Sequence, residues 1–89
     1  MARVLVKLRI FPESVDLDLK ELVKRISERL PENSKIEGVG EEPIAFGLNA
    51  LLLLVSIPDE EGFMGRVEEA ISTTQGVNQI QIISVGRTR

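Results

Sequence analysis

The side chains that most often carry covalent chemistry at neutral pH are missing from this chain of 89 residues, which has no histidine and no cysteine. Ser-His and Cys-His nucleophilic pairs, thiolate metal sites and disulfides are therefore excluded. The remaining carboxylates concentrate at Glu41-Glu42 and at Asp59-Glu60-Glu61. A solvated strand edge and a helix N-terminus explain these clusters more simply than a cation site, because neither has a defined ligand spacing. We expect no metal, no cofactor and no bond-making active site.

Phosphate and nucleic-acid binding are weakly supported. Gly38-Val39-Gly40 is not followed by a helix start or by Lys-Ser/Thr, so a strand bulge is the better interpretation. The net charge of −3 lacks the basic excess of a general nucleic-acid binder. The polar side of the first strand, with Lys7 and Arg9, carries no aromatic ring on which a base could stack. We expect no direct contact with nucleic acid.

The segment Pro43–Gly47 is the most unusual part of the chain. It separates an acidic stretch from the apolar run 48–55, and it contains Phe46, one of three phenylalanines in a protein without Trp or Tyr. Phe46 either folds back from a turn onto the core or projects as an anchor for a partner. The basic tail Arg87-Thr88-Arg89 has two interpretations as well, a solvated chain end or a contact.

The first half of the chain predicts a strand and a helix. Apolar and polar residues alternate over 3–11, which indicates a strand with one buried face. Residues 16–30 have helical periodicity, with Asp16 or Asp18 as the N-cap and Pro31 as the stop.

The second half predicts three strands and a helix. A polar edge or bulged strand is expected over 35–42, and a central apolar strand over 48–57. Asp59-Glu60-Glu61 is expected to open the second helix, with Gly76 as its C-terminal cap. The last strand is expected over 77–86.

The resulting order is strand, helix, strand, strand, helix, strand. Two βαβ units of this kind fold into an α+β ferredoxin-like sandwich, a four-stranded antiparallel sheet with both helices on one face. We expect a single domain over residues 1–89. No apolar segment follows the N-terminus and the longest apolar run, 50–55, is too short to span a bilayer, so we expect a cytoplasmic protein without membrane contact.

The segment from Glu42 to Leu48 resembles the Pro-Ile-(Ala/Gly)-Phe-Gly motif of the elongation factor 1-beta family, in its archaeal form. The resemblance covers essentially the whole chain, including Pro12-Glu13-Ser14, the helix start at 16–19 and Gly76-Val77. It implies a ferredoxin-like domain that promotes exchange of GDP for GTP on elongation factor 1-alpha, which regenerates the GTP form that carries aminoacyl-tRNA in translation.

The resemblance also implies two contact elements. The first is the motif, with Pro43, Ile44 and Gly47 around Phe46, whose ring inserts into a pocket of the GTPase. The second is a basic residue near the C-terminus that approaches magnesium and phosphate. This position falls on Arg87, with Arg89 beside it, where eukaryotic relatives have Lys followed by Leu. A single contact surface would require Phe46 to project from the tip between two strands on the same side of the molecule as Arg87.

An alternative remains open at this point, because the same fold also serves small-ligand and regulatory protein-binding modules. Such a module would need a polar pocket at a domain or dimer interface, and the sequence shows no cluster for one. An exchange domain needs no self-association, so we expect the free protein to be a monomer.

Overall fold

The computed structural model describes residues 2–88. Its elements are, in chain order, β1 (Arg3–Pro12), α1 (Leu19–Arg29), β2 (Lys35–Ala45), β3 (Leu48–Pro58), α2 (Phe63–Ser72) and β4 (Val77–Thr88). The strands form one antiparallel sheet with the spatial order β2-β3-β1-β4. The predicted ferredoxin-like architecture is therefore confirmed, with β3 central and β2 at an edge.

The core lies between the helices and one face of the sheet. The alternation in β1 places Val6, Leu8 and Ile10 in this core, each with no exposed surface, while Lys7 between them is exposed. The other fully buried large side chains come from β3 and the two helices: Leu51, Leu53, Val55, Leu22, Ile26, Val67 and Ile71. The apolar stripes of both helices thus cover one face only and leave the other face of the sheet open.

Helix α1 begins three residues later than its periodicity predicts. Of the two candidate caps, Asp18 is the one used: its Oδ1 accepts a hydrogen bond from the backbone N–H of Lys20 at 3.0 Å. Asp16 instead lies in the turn before the helix, where its N–H donates to Ser14 Oγ at 3.1 Å. The C-cap is extended, with ψ 143°, as the residue before Pro31 must be.

The predicted start and cap of α2 are both wrong. Asp59-Glu60-Glu61 lies in a turn before the helix, because Gly62 has a left-handed φ of 82° and the helix starts only after it. The C-cap is Thr73, so Gly76 does not cap α2. Gly76 instead has φ 101° at the entry to β4, a conformation that favours glycine.

Strands β2 and β4 are longer than predicted, by three and two residues. β2 pairs with β3 as far as Ala45 and Leu48, and β4 pairs with β1 as far as Thr88 and Arg3. The predicted bulge is confirmed by a register shift between residues 36 and 38 of β2. These strands continue because β3 and β1 offer them backbone hydrogen-bond partners beyond the residues at which their own hydrophobic patterns weaken.

Candidate functional site: the two ends of the sheet

The β2–β3 hairpin turns within two residues, Phe46 and Gly47. The last paired residues are Ala45 and Leu48, and both turn residues have positive φ, 54° and 78°. These are the signs of a type I′ turn. The Phe46 side chain is fully exposed, at 101% of its reference area. Of the two interpretations left open by the sequence, the structure therefore has the projecting ring.

The backbone of Phe46 is strained. Type I′ turns favour Asn or Gly at the first central position, because a left-handed φ costs a bulky side chain on the order of 1 kcal/mol. The fully exposed ring gains no packing within the chain to offset this cost. A strained residue whose side chain is not buried by the described part of the chain points to a role in binding something else.

Pro43 and Ile44 belong to the end of β2 rather than to a loop. This differs from the expected turn over the whole motif, because β3 offers backbone partners almost to the tip. Ile44 lies where the register shifts between Pro43 and Ala45, and 43% of its surface is exposed. Gly47 supplies the second left-handed position of the turn. The motif thus forms a hairpin end with two large exposed apolar side chains, Ile44 and Phe46.

Arg87 is in the penultimate position of β4, opposite Val4 of β1. Its side chain is 79% exposed, and its Nη2 lies 3.4 Å from Oδ2 of Asp59 in an ion pair. Sequence reasoning missed Asp59, because residues 59–61 were assigned to a helix start. The strand register could have found it, since β1 separates the end of β3 from the end of β4 and pairs with both. Arg89 lies outside the described residues.

The hairpin tip and Arg87 lie at opposite ends of the sheet. Phe46 is five residues beyond the pair Leu51–Ile10, whereas Arg87 pairs with Val4, six residues back along β1. At about 3.3 Å per residue these positions are roughly 35 Å apart. The longest dimension of the molecule is 42 Å. Phe46 does project from the tip, but it is not on the same side as Arg87, and the two do not form one patch.

Two cavities of the described chain lie near the hairpin and on the open face of the sheet, and both are small. One of about 230 Å³ lies between the hairpin and the start of α1, beside Val15, Lys20 and Leu48. Another of about 310 Å³ lies on the open face beside Phe11 and Gln79. Both are at or below the lower end of the range for ligand pockets, about 300–1,000 Å³. Within residues 2–88 no three potential metal ligands cluster, and neither helix has the length and apolarity to cross a membrane.

Comparisons with known proteins first define a class. Residues 5–88 match the EF-1 guanine nucleotide exchange domain. The chain is 42% identical over 87 residues to the elongation factor 1-beta of Methanothermobacter thermautotrophicus and 47% identical over 88 residues to that of Desulfurococcus amylolyticus, with 98% of each chain covered in both cases. The chain therefore belongs to the elongation factor 1-beta family, as the motif predicted, and its function is guanine-nucleotide exchange in translation elongation.

Two solved structures share the fold at low sequence identity. The C-terminal domain of MgtC from Mycobacterium tuberculosis matches with a TM-score of 0.63 and 12% identity, covering 91% of this chain and 85% of that one. The ACT domain from GTP pyrophosphokinase of Chlorobium tepidum matches with a TM-score of 0.60 and 15% identity, covering 89% and 96%. At these identities the likeness extends to the fold alone.

Proposed function

We propose that this protein exchanges GDP for GTP on elongation factor 1-alpha in the cytoplasm by binding the GTPase at both ends of its sheet. Phe46 inserts into a pocket of the partner, and Arg87 approaches the magnesium and phosphates of the nucleotide. The observation that carries the proposal is the strained, fully exposed ring of Phe46 at the tip of a two-residue turn within the family motif.

Exchange of this kind needs no bond-making residue. A factor that binds the nucleotide-free GTPase more tightly than the GDP-bound form must, by linkage, lower the affinity for GDP by the same factor. Much of the hold on GDP comes from magnesium and phosphate contacts. Displacing the groups that make these contacts, or competing with them, releases GDP, and GTP then binds because it is in excess. The absence of His and Cys is compatible with this mechanism.

The hairpin suits Phe46 to the role of an anchor. An aromatic side chain buries a large area for few rotatable bonds, and rings seated in pockets dominate many interfaces. The two-residue turn fixes the backbone of Phe46 before binding, so that little backbone conformational entropy is lost on association. Ile44, two residues before Phe46 in the chain, adds a second large exposed apolar side chain to the hairpin end.

Arg87 suits the second contact through its charge. A guanidinium competes electrostatically with magnesium and forms bidentate hydrogen bonds with phosphate oxygens. Its planar fork is larger than the ammonium of the lysine found in eukaryotic relatives, so we propose that it engages the phosphates directly. We propose Arg89, two residues further along the chain, as a second cation of this contact.

The central test is release of a fluorescent GDP analogue from elongation factor 1-alpha. Phe46→Ala should lower kcat/KM for release at least tenfold, the effect of losing about 1.4 kcal/mol or more from an anchor. Val39→Ala is the matched control, because Val39 is an exposed apolar residue of β2 away from the tip. An unchanged release rate in Phe46→Ala would contradict the anchor role.

A separate measurement tests the proposed state of the free protein. We expect sedimentation to show a monomer that binds elongation factor 1-alpha and does not bind RNA. An obligate dimer without affinity for the GTPase would instead favour a regulatory module of the same fold.

A further inference from the structure

We propose that Asp59 is a positioning residue for exchange, which holds the guanidinium of Arg87 in the orientation that meets the phosphates. This inference rests on the proposed function. The ion pair between Arg87 Nη2 and Asp59 Oδ2, at 3.4 Å, is the observation from which it starts.

Asp59 is fixed by the backbone of the sheet. It directly follows the end of β3, and its N–H donates a hydrogen bond to the carbonyl oxygen of Ala2 at 3.2 Å. Arg3, which follows Ala2 and is the first residue of β1, pairs with Pro58 on one side and with Thr88 on the other. The backbone of Asp59 therefore has a defined place beside the end of β4, and its side chain is less exposed than that of Arg87, at 34% against 79%.

Arg87 needs such a partner because of its position. A free arginine side chain has many accessible rotamers, and Arg87 stands at the end of an edge strand with 79% of its side chain exposed. An exposed ion pair favours its bonded orientation only modestly, typically by a factor of about 1.5 to 5. This strength is sufficient to bias Arg87 towards one direction and small enough for a phosphate to take over the guanidinium.

The acidic residues next to Asp59 allow a positioning effect on Arg87 to be distinguished from a general effect of negative charge. Glu60 and Glu61 occupy the same turn as Asp59, but the ion pair of Arg87 in the described chain is made with Asp59. Removing the charge of Glu60 changes the net charge of this end by the same amount. Glu60→Gln is therefore the matched control for Asp59→Asn.

The experiment measures kcat and KM for release of the fluorescent GDP analogue from elongation factor 1-alpha. Asp59→Asn should lower kcat two- to fivefold with KM unchanged, whereas Glu60→Gln should leave both near wild type. Asp59→Glu should recover part of the loss, since it restores the carboxylate. At about 1 M ionic strength, where the Debye length is about 3 Å, the loss should shrink.

A double-variant comparison identifies the route of the effect. In an Arg87→Ala background, Asp59→Asn should cause no further loss. An equal loss in both backgrounds, or an equal loss in Glu60→Gln, would overturn the positioning role. If Arg87→Ala alone leaves release unchanged, both the Arg87 contact and the role of Asp59 are wrong, while Phe46→Ala still tests the proposed function separately.

Discussion

Phe46 has a backbone conformation that its own side chain disfavours. With φ 54°, it raises the free energy of the folded hairpin. Because its ring is fully exposed, burial of the ring does not offset this cost. Asparagine tolerates this conformation much better, and Asn-Gly is the preferred pair for a type I′ turn. With Phe46 as the anchor that we propose, stability and exchange make opposite demands on this one position.

Replacing Phe46 by Asn should separate these demands. We expect Phe46→Asn to stabilise the protein by about 0.5–1 kcal/mol, which raises the Tm by roughly 2–8 °C for a domain of this size. GDP release should fall as in Phe46→Ala, because the ring is gone. Thermal unfolding followed by circular dichroism checks the first effect. A lower Tm would show that the turn geometry does not penalise Phe46.

The residue types alone did not decide where the ring of Phe46 lies. A Phe between Pro and Gly fits both a buried and a projecting ring, and only the register of β2 on β3 distinguishes them. Once Ala45 pairs with Leu48, two residues remain for the turn at the end of the strands, and the ring of Phe46 is exposed there. Long-range pairing therefore supplied the information that local sequence lacked.

At the scale of elements, the order and type of all six were predictable, while several ends were not. β1 and β3 were predictable because their buried positions are occupied by apolar residues, which can be read directly from the sequence. The start of α2 depends on a single backbone angle at Gly62, against which the favourable acidic residues before it had no effect. The cap assigned to Gly76 failed similarly, since its positive φ serves the entry to β4.

Two glycines allow these backbone roles to be measured. Gly65 lies inside α2 with open space where a Cβ would be, so Gly65→Ala should stabilise the protein by about 0.5–1 kcal/mol. At Gly76, φ is 101° and a Cβ would lie 2.7 Å from Leu17 Cδ2. Gly76→Ala should therefore destabilise by about 2 kcal/mol or more.

Urea unfolding of both glycine variants provides the readout, since a shift in midpoint at constant slope reports stability. The two substitutions add the same methyl group, so opposite signs would confirm that conformation and space decide the result. A similar loss in both variants would contradict the assignment of Gly65 to an unstrained helical position.

At the scale of the whole molecule, the candidate contacts lie roughly 35 Å apart along a sheet whose length is nearly that of the protein. The strand registers determine this separation, because β1 pairs with β3 over one stretch and with β4 over its whole length. Within residues 2–88, the ion pair of Arg87 is made with Asp59, at the end of the sheet away from Phe46.

Distant sites of this kind should act independently. We expect the loss of kcat/KM in the double variant Phe46→Ala/Arg87→Ala to equal the product of the two single losses, within about 0.5 kcal/mol. Measurement of GDP release in all four proteins tests this. If the double variant loses no more kcat/KM than the more impaired single variant, the two residues act through one step.

The length of the sheet also fixes the distance between the two candidate contacts. A rigid antiparallel sheet cannot stretch to meet a partner, because a shift of one residue would turn the core side of a strand towards solvent. A GTPase can occupy both ends only when its own two docking points stand at the matching distance. The protein would thereby select the conformations of its partner in which the two docking points are the right distance apart. This distance depends on the whole sheet and not on any single residue.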